Sequence, residues 1–284
     1  SLYGRNSLAE ILKETSSKVF VPITASGGIR SVEDASKLLA YGADKIALNT
    51  AALKEPSLIS ELASTFGSQC VVISIQARKL KEQNSWEAMC EMGREKSGKD
   101  VFEWIKQVQD LGAGEIVLTS VDKDGTCEGP DLDLFRLASE ISMVPLVVGG
   151  GFNKASRCSQ VLQNKKISAI SIAAAFHKNL INVKELKTEL KSKNINSRII
   201  QNSEKYNGKG SLNGISIGIV DYGIGNQQSL INALKAKNAN IVLTRDTKKL
   251  DKTDLIALPG VGAFSKGMDQ LKKNARRLLK NYLP

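Results

Sequence analysis

Several short patterns in this chain carry side chains that could do chemistry. In "CVVISIQARK" (residues 70–79) five of the first six residues are apolar or β-branched, and polar and basic residues take over at Gln76. The C-terminal end of a parallel strand is where an α/β barrel holds its reactive groups. An amide there can hydrogen-bond but cannot exchange a proton near neutral pH. Gln76 is therefore an ordinary strand end, a binding residue, or a position that has lost proton chemistry. Paired glycines are the strongest pattern. Gly27–Gly28 and Gly149–Gly150–Gly151 each follow a predicted strand, and each precedes a second strand end with small or amide side chains, Asn49–Thr50 and Ala173–Ala174. Glycine lets backbone N–H groups approach a phosphate closely. A single pair would read as a tight turn; two related pairs suggest a ligand with a phosphate at each end. "DKDGT" (122–126) ends another strand. Asp122 and Asp124 could serve as base, hydroxyl acceptor or metal ligand, or form a turn with Gly125 in the left-handed region. "PGVG" (259–262) is either a plain turn or a strand whose N–H groups face an oxyanion.

The elements that must position these residues alternate regularly. Strands are predicted at Val19–Thr24, Lys45–Leu48, Val71–Ile75, Glu115–Ser120, Val144–Val148 and Ala169–Ala173. Helices are predicted at Val32–Tyr41, Pro56–Phe66, Val101–Leu111 and Leu132–Ile141. Such alternation means a parallel sheet with helices outside. An internal repeat favours a closed barrel: "VPITASGGI" (21–29) matches "VPLVVGGGF" (144–152), and "KIALNTA" (45–51) matches "AISIAAA" (169–175), at offsets of 123 and 124 residues. Four strand–helix units fill each offset, so eight would close the ring and six are present. The expected fold is α/β, a partial (β/α)8 TIM barrel of six units over residues 1–198. A polar linker spans 199–213. Residues 214–284 read as the N-terminal part of a Rossmann-like domain, with strands at 214–226, 241–243 and 255–258. The chain starts at Ser1 and stops at Pro284 after an apolar helix, so both ends are expected to be cuts through a longer protein, with two units before Ser1.

Composition narrows the function classes. The 284 residues are 42% hydrophobic and 24% charged, and no apolar run approaches the roughly 18 residues of a membrane helix. No membrane partner is expected. The net charge of +11 is concentrated in 184–198, 245–252 and 272–280, on amphipathic helical patterns without interleaved aromatics to stack bases. It reads as solvated helix faces with attraction for phosphorylated substrates, and no nucleic-acid partner is expected. Cys70, Cys90, Cys127 and Cys158 lack C-x-x-C spacing and read as reduced cytoplasmic thiols. With His177 as the single histidine, no metal site and no cofactor are expected, and His177 receives no role.

"GADKIALNTAALKEPSLISELASTFGSQCVV" (42–72), "GAGEIVLTSVDKDGT" (112–126) and the glycine turns together resemble the cyclase subunits of imidazole glycerol phosphate synthases, over about residues 1–198. "IGIVDYGIGNQQSL" (217–230) and "LPGVGAF" (258–264) resemble the start of the class I glutamine amidotransferase partner. The resemblance implies a cytoplasmic lyase of histidine biosynthesis. Glutamine-derived ammonia would pass through the barrel to a bisphosphorylated nucleotide, PRFAR, giving imidazole glycerol phosphate and an aminoimidazole carboxamide ribotide. It implies one phosphate at Gly28, Asn49 and Thr50, and the other at Asp124, Gly125, Gly151 and Ala174, where the family usually has Ser. Lys45 and Glu115 would be half of the ammonia gate. Gly260, Val261 and Gly262 would be the glutaminase oxyanion strand, with Tyr222–Asn226 near the interface between the two fused parts. The glutaminase nucleophile would follow Pro284, so residues 1–284 alone are expected to be inactive.

Gln76 departs from this pattern. The family has an acid–base Asp there, paired with a second at the end of the first strand, outside this sequence. Two further readings follow. One is an amidotransferase paralogue of surface-polysaccharide clusters, acting on a sugar nucleotide. The other is a degenerate, non-catalytic barrel.

Overall fold

The computed structural model describes residues 5–19, 21–81, 84–197, 212–221, 227–235, 237–257 and 259. In chain order the elements are α1 (Arg5–Lys18), β1 (Thr24–Ser26), α2 (Val32–Ala40), β2 (Lys45–Leu48), α3 (Thr50–Lys54), α4 (Ser57–Phe66), β3 (Val71–Lys79), β4 (Trp86–Cys90) and β5 (Glu95–Asp100). There follow α5 (Val101–Asp110), β6 (Glu115–Ser120), α6 (Leu132–Ile141), β7 (Leu146–Gly149), α7 (Ala155–Leu162), β8 (Ala169–Ser171), α8 (Ala174–His177) and α9 (Val183–Ser192). The last described elements are β9 (Ser216–Val220), α10 (Gln227–Lys235), β10 (Asn240–Thr244), α11 (Thr247–Leu250) and β11 (Leu255–Ala257). The fold is α/β: six barrel-type strands in the order β1-β2-β3-β6-β7-β8, then a Rossmann-like parallel sheet in the order β10-β9-β11.

The chain forms two compact units, residues 1–47, 60–71 and 206–284, and residues 48–59 and 72–205. In the first, β1 runs parallel to β2 from Thr24↔Lys45 to Ser26↔Ala47. The predicted strand Val19–Thr24 is thereby corrected. A strand exists only where a partner offers its ladder, and β2 begins at Lys45; upstream, Val19 and Val21 are 39% and 51% exposed. In the Rossmann-like sheet Ile217, Ile219 and Val220 are buried in the central strand β9. Within this unit the Asn232 amide of α10 donates to the Ser16 carbonyl of α1.

In the second unit β3, β6, β7 and β8 form a continuous parallel ladder. Along β6, Ile116, Leu118 and Ser120 are buried while Glu115, Val117 and Thr119 are half-buried, so alternate residues serve the helix layer and the barrel interior. The register Ser74↔Val117 and Gln76↔Thr119 puts these four residues on one face. Helix α5 shows why the helices cover the other face. Val101, Trp104, Ile105 and Val108 form a buried stripe at helical spacing, and the Asp100 carboxylate caps the helix by accepting from the amides of Phe102 and Glu103.

One insertion has no counterpart in the sequence reading. β3 continues to Lys79 and turns into the antiparallel hairpin β4–β5. Trp86, wholly buried in β4, donates its indole N–H to Asp131 Oδ2 at 3.1 Å. The same carboxylate accepts from Ser120 Oγ at 3.4 Å and caps α6 through the Leu134 amide. At the hairpin tip Glu91 and Met92 hold φ of +45° and +60°, unusual for non-glycine residues, and the Arg78 guanidinium donates to the Gly93 carbonyl at 2.8 Å.

Candidate functional site

The residues expected at the second phosphate position come together. β7 ends in Gly149, and Gly150 and Gly151 turn the chain with φ of +102° and +83°. A side chain on Gly150 would lie 2.7 Å from the Ser120 carbonyl oxygen, and one on Gly151 would collide with the Gly129 carbonyl. The Gly129 amide donates to the Gly151 carbonyl at 2.8 Å, joining this turn to the loop after β6. In that loop the amides of Lys123 and Asp124 donate to the Ser120 carbonyl, and Gly125 has φ of +74°. A cavity of about 200 Å³ opens where these turns meet the start of α8. Thr119, Asp124, Gly125, Cys127, Gly151 and Ala174 are among its walls. Asp122 is occupied elsewhere: its carboxylate accepts the Lys79 amide at 2.7 Å.

The other half repeats the backbone conformation and not the surroundings. Gly27 and Gly28 have φ of +103° and +74°, close to Gly150 and Gly151, with open space where a side chain would stand. Asn49 (φ −129°, ψ −88°) precedes α3 as Ala173 (φ −124°, ψ −68°) precedes α8. The Asn49 amide nitrogen donates to the carbonyls of Ser74 and Met89 at 2.9 and 3.1 Å. The Thr50 hydroxyl donates to Asn49 Oδ1 at 3.2 Å and accepts the Glu91 amide at 2.9 Å. Both side chains are thus tied to β3 and to the hairpin.

Gln76 is half-buried beside Thr119 in the ladder, and its Oε1 is buried without a hydrogen-bond partner. A buried acceptor left unpaired costs about 1–3 kcal/mol, so this atom is a natural contact for a donor on a ligand. Lys45 and Glu115 are the first residues of β2 and β6, half-buried, at the strand ends opposite to Asn49 and Thr119. His177 ends α8 and is exposed. Gly260, Val261, Gly262 and Tyr222–Asn226 lie outside the described residues, as does most of the linker.

Sequence reasoning missed Thr119, Cys127 and the hairpin contacts. Thr119 had a signal, since it lies two residues after Val117 on the face opposite Ile116 and Leu118. Cys127 enters the cavity through a left-handed backbone, φ +58°, which no local pattern announces. The other three thiols are buried. Burial raises the Cys70 and Cys90 thiols above the ordinary value and pushes Cys158 up to about 12. Among the described residues no group of three or more His, Cys, Asp or Glu side chains could hold a metal ion, and no helix is long and apolar enough to cross a membrane.

Comparison with known proteins adds kinship to this geometry. Residues 1–182 match the family described as histidine biosynthesis protein. Over 154 residues the chain is 53% identical to imidazole glycerol phosphate synthase subunit HisF of Legionella pneumophila, covering 54% of this chain and 72% of that protein. Over 196 residues it is 38% identical to the subunit of the same name from Clostridium botulinum (strain Okra / Type B1), covering 69% and 78%.

Proposed function

The chain belongs to the histidine biosynthesis protein family, and from that premise we propose that residues 1–198 form the cyclase part of an imidazole glycerol phosphate synthase. The observation that carries the proposal is the cavity uniting Asp124, Gly125, Gly151 and Ala174, together with the duplicate of its turn at Gly27–Gly28. A duplicated phosphate-type turn suits PRFAR, which has a phosphate at each end. One phosphate would meet Gly28, Asn49 and Thr50; the other would meet the backbone of Gly125, Gly151 and Ala174, beside Asp124. Ammonia would enter past Lys45 and Glu115 and react at the far strand ends, near Gln76. The nitrogen would come from glutamine, hydrolysed by an amidotransferase domain beginning near residue 214 and joined through residues 199–213. The nucleophilic thiol of such a domain is not among residues 1–284, whose last cysteine is Cys158. The four free thiols suit a reducing cytoplasm.

A specific observation favours a second reading. Ammonia addition and ring closure both move protons, and each proton-transfer group contributes about 10²–10⁴-fold. Gln76 cannot supply one, and its unpartnered Oε1 invites a donor from a different substrate. A paralogue that aminates a sugar nucleotide fits that position. Calorimetry with PRFAR and with a uridine diphosphate sugar distinguishes the readings. Binding of PRFAR alone supports the cyclase, and binding of the sugar nucleotide alone supports the paralogue. Failure of both leaves a non-catalytic barrel and overturns the proposal.

A further inference from the structure

The phosphate reading of the cavity leaves a charge unaccounted for. No lining residue is basic, and one, Asp124, is acidic. A phosphate monoester carries close to two negative charges near neutral pH. Held by backbone N–H groups alone, it would lie beside an uncompensated carboxylate.

Resting on that reading, we infer that Lys178 selects a phosphate-bearing ligand for this cavity by bringing the positive charge its walls lack. Lys178 closes α8 four residues after Ala174, so the two share a helix face, and helical side chains lean back towards the N-terminal end. Its Nζ donates to the carbonyl of Gly125, a wall residue, at 3.1 Å. An ammonium group has three donors, and Gly125 takes one of them. Among the described residues Lys178 has no acidic partner, whereas Lys123 on the facing loop is paired with Glu128 at 3.8 Å.

The internal repeat is an independent second observation. The offset of 124 residues that relates Ala174 to Thr50 also relates Lys178 to Lys54. Both halves therefore carry a lysine four residues after the helix start, Thr50 in one and Ala174 in the other. In the first half Lys54 is paired with Glu91 of the hairpin at 3.5 Å. In the second half the lysine reaches the cavity wall instead.

Cys127 provides a local readout, because it lines the cavity while Cys70, Cys90 and Cys158 are buried. Inorganic phosphate is titrated against iodoacetamide labelling of Cys127 at constant ionic strength, with each variant referred to its own phosphate-free rate. The half-protecting phosphate concentration should rise about tenfold in Lys178→Ala and stay within about threefold in Lys178→Arg, which keeps the charge. Equal protection of wild type and Lys178→Ala overturns the inference and leaves the phosphate reading intact. An Arg variant as weak as the Ala variant also overturns it, since charge is then not the property that matters. No protection of the wild type overturns the phosphate reading, and the inference with it.

Discussion

Gly28 and Gly151, 123 residues apart, share a left-handed backbone, φ +74° and +83°, but differ in what surrounds them. Around Gly28 there is room for a side chain. At Gly151 the Gly129 carbonyl stands where a β-carbon would go, and the Gly129 amide is bonded to the Gly151 carbonyl. The two turns are alike in conformation and unlike in packing.

Alanine at the two positions should therefore separate these contributions. Gly28→Ala carries the left-handed penalty of about 1–2 kcal/mol. Gly151→Ala carries the same penalty plus a backbone collision, adding about 1–3 kcal/mol. Urea unfolding of both variants measures the difference, and equal midpoints would contradict the packing described for Gly151.

Introducing a carboxylate tests the chemistry at Gln76. On the cyclase reading, Gln76→Asp assayed with an ammonium salt in place of glutamine should raise PRFAR turnover by about 10²-fold or more. A change that weakens a sugar nucleotide and does little for PRFAR points to the paralogue. A wild-type rate equal to that of cyclases with the Asp shows that proton transfer was never lost.

Asp131 ties the hairpin to the sheet. Asp131→Ala removes the α6 cap, about 1 kcal/mol, and leaves the indole N–H of buried Trp86 unpaired, a further 1–3 kcal/mol or so. A loss of about 2–4 kcal/mol is expected in urea unfolding. A loss below about 1 kcal/mol means that the indole finds another acceptor.

The Cys158 thiol gives a signed pH dependence. Its folded-state pKa is raised by burial to about 12 from an ordinary 9.0. Above the ordinary value the unfolded chain loses this proton before the folded one does. The stability it brings is therefore full below about pH 9 and declines as pH climbs towards 12. Cys158→Ala lacks this contribution, so the gap in urea midpoint between wild type and variant should narrow from about pH 7 to about pH 10.5. A constant gap refutes the assignment.

Much of this was legible from residues alone. Strand–helix alternation follows from periodicity, and the glycine turns from the absence of a side chain where φ is positive. The hairpin was not legible, for physical reasons. β5 reads "EKSGKD", and its strand character comes from pairing with β4, not from its own hydrophobicity. Its tip uses Glu91 and Met92 in place of the Asn–Gly pair that normally announces a tight turn. The start of β1 was misplaced because an apolar run is a strand only opposite a ladder. Asp124, Gly125, Gly151 and Ala174 were grouped only through the family resemblance, while Thr119 and Cys127 enter the cavity through register and loop conformation.

The repeated lysines make two similar helix starts electrically unlike. Lys54 at the end of α3 is paired with Glu91, and Lys178 just after α8 has no such partner among the described residues. Within the second compact unit the starts of α3 and α8, alike in backbone conformation, would then differ in electrostatic potential, and a small anion would gather at the α8 start in preference to the α3 start.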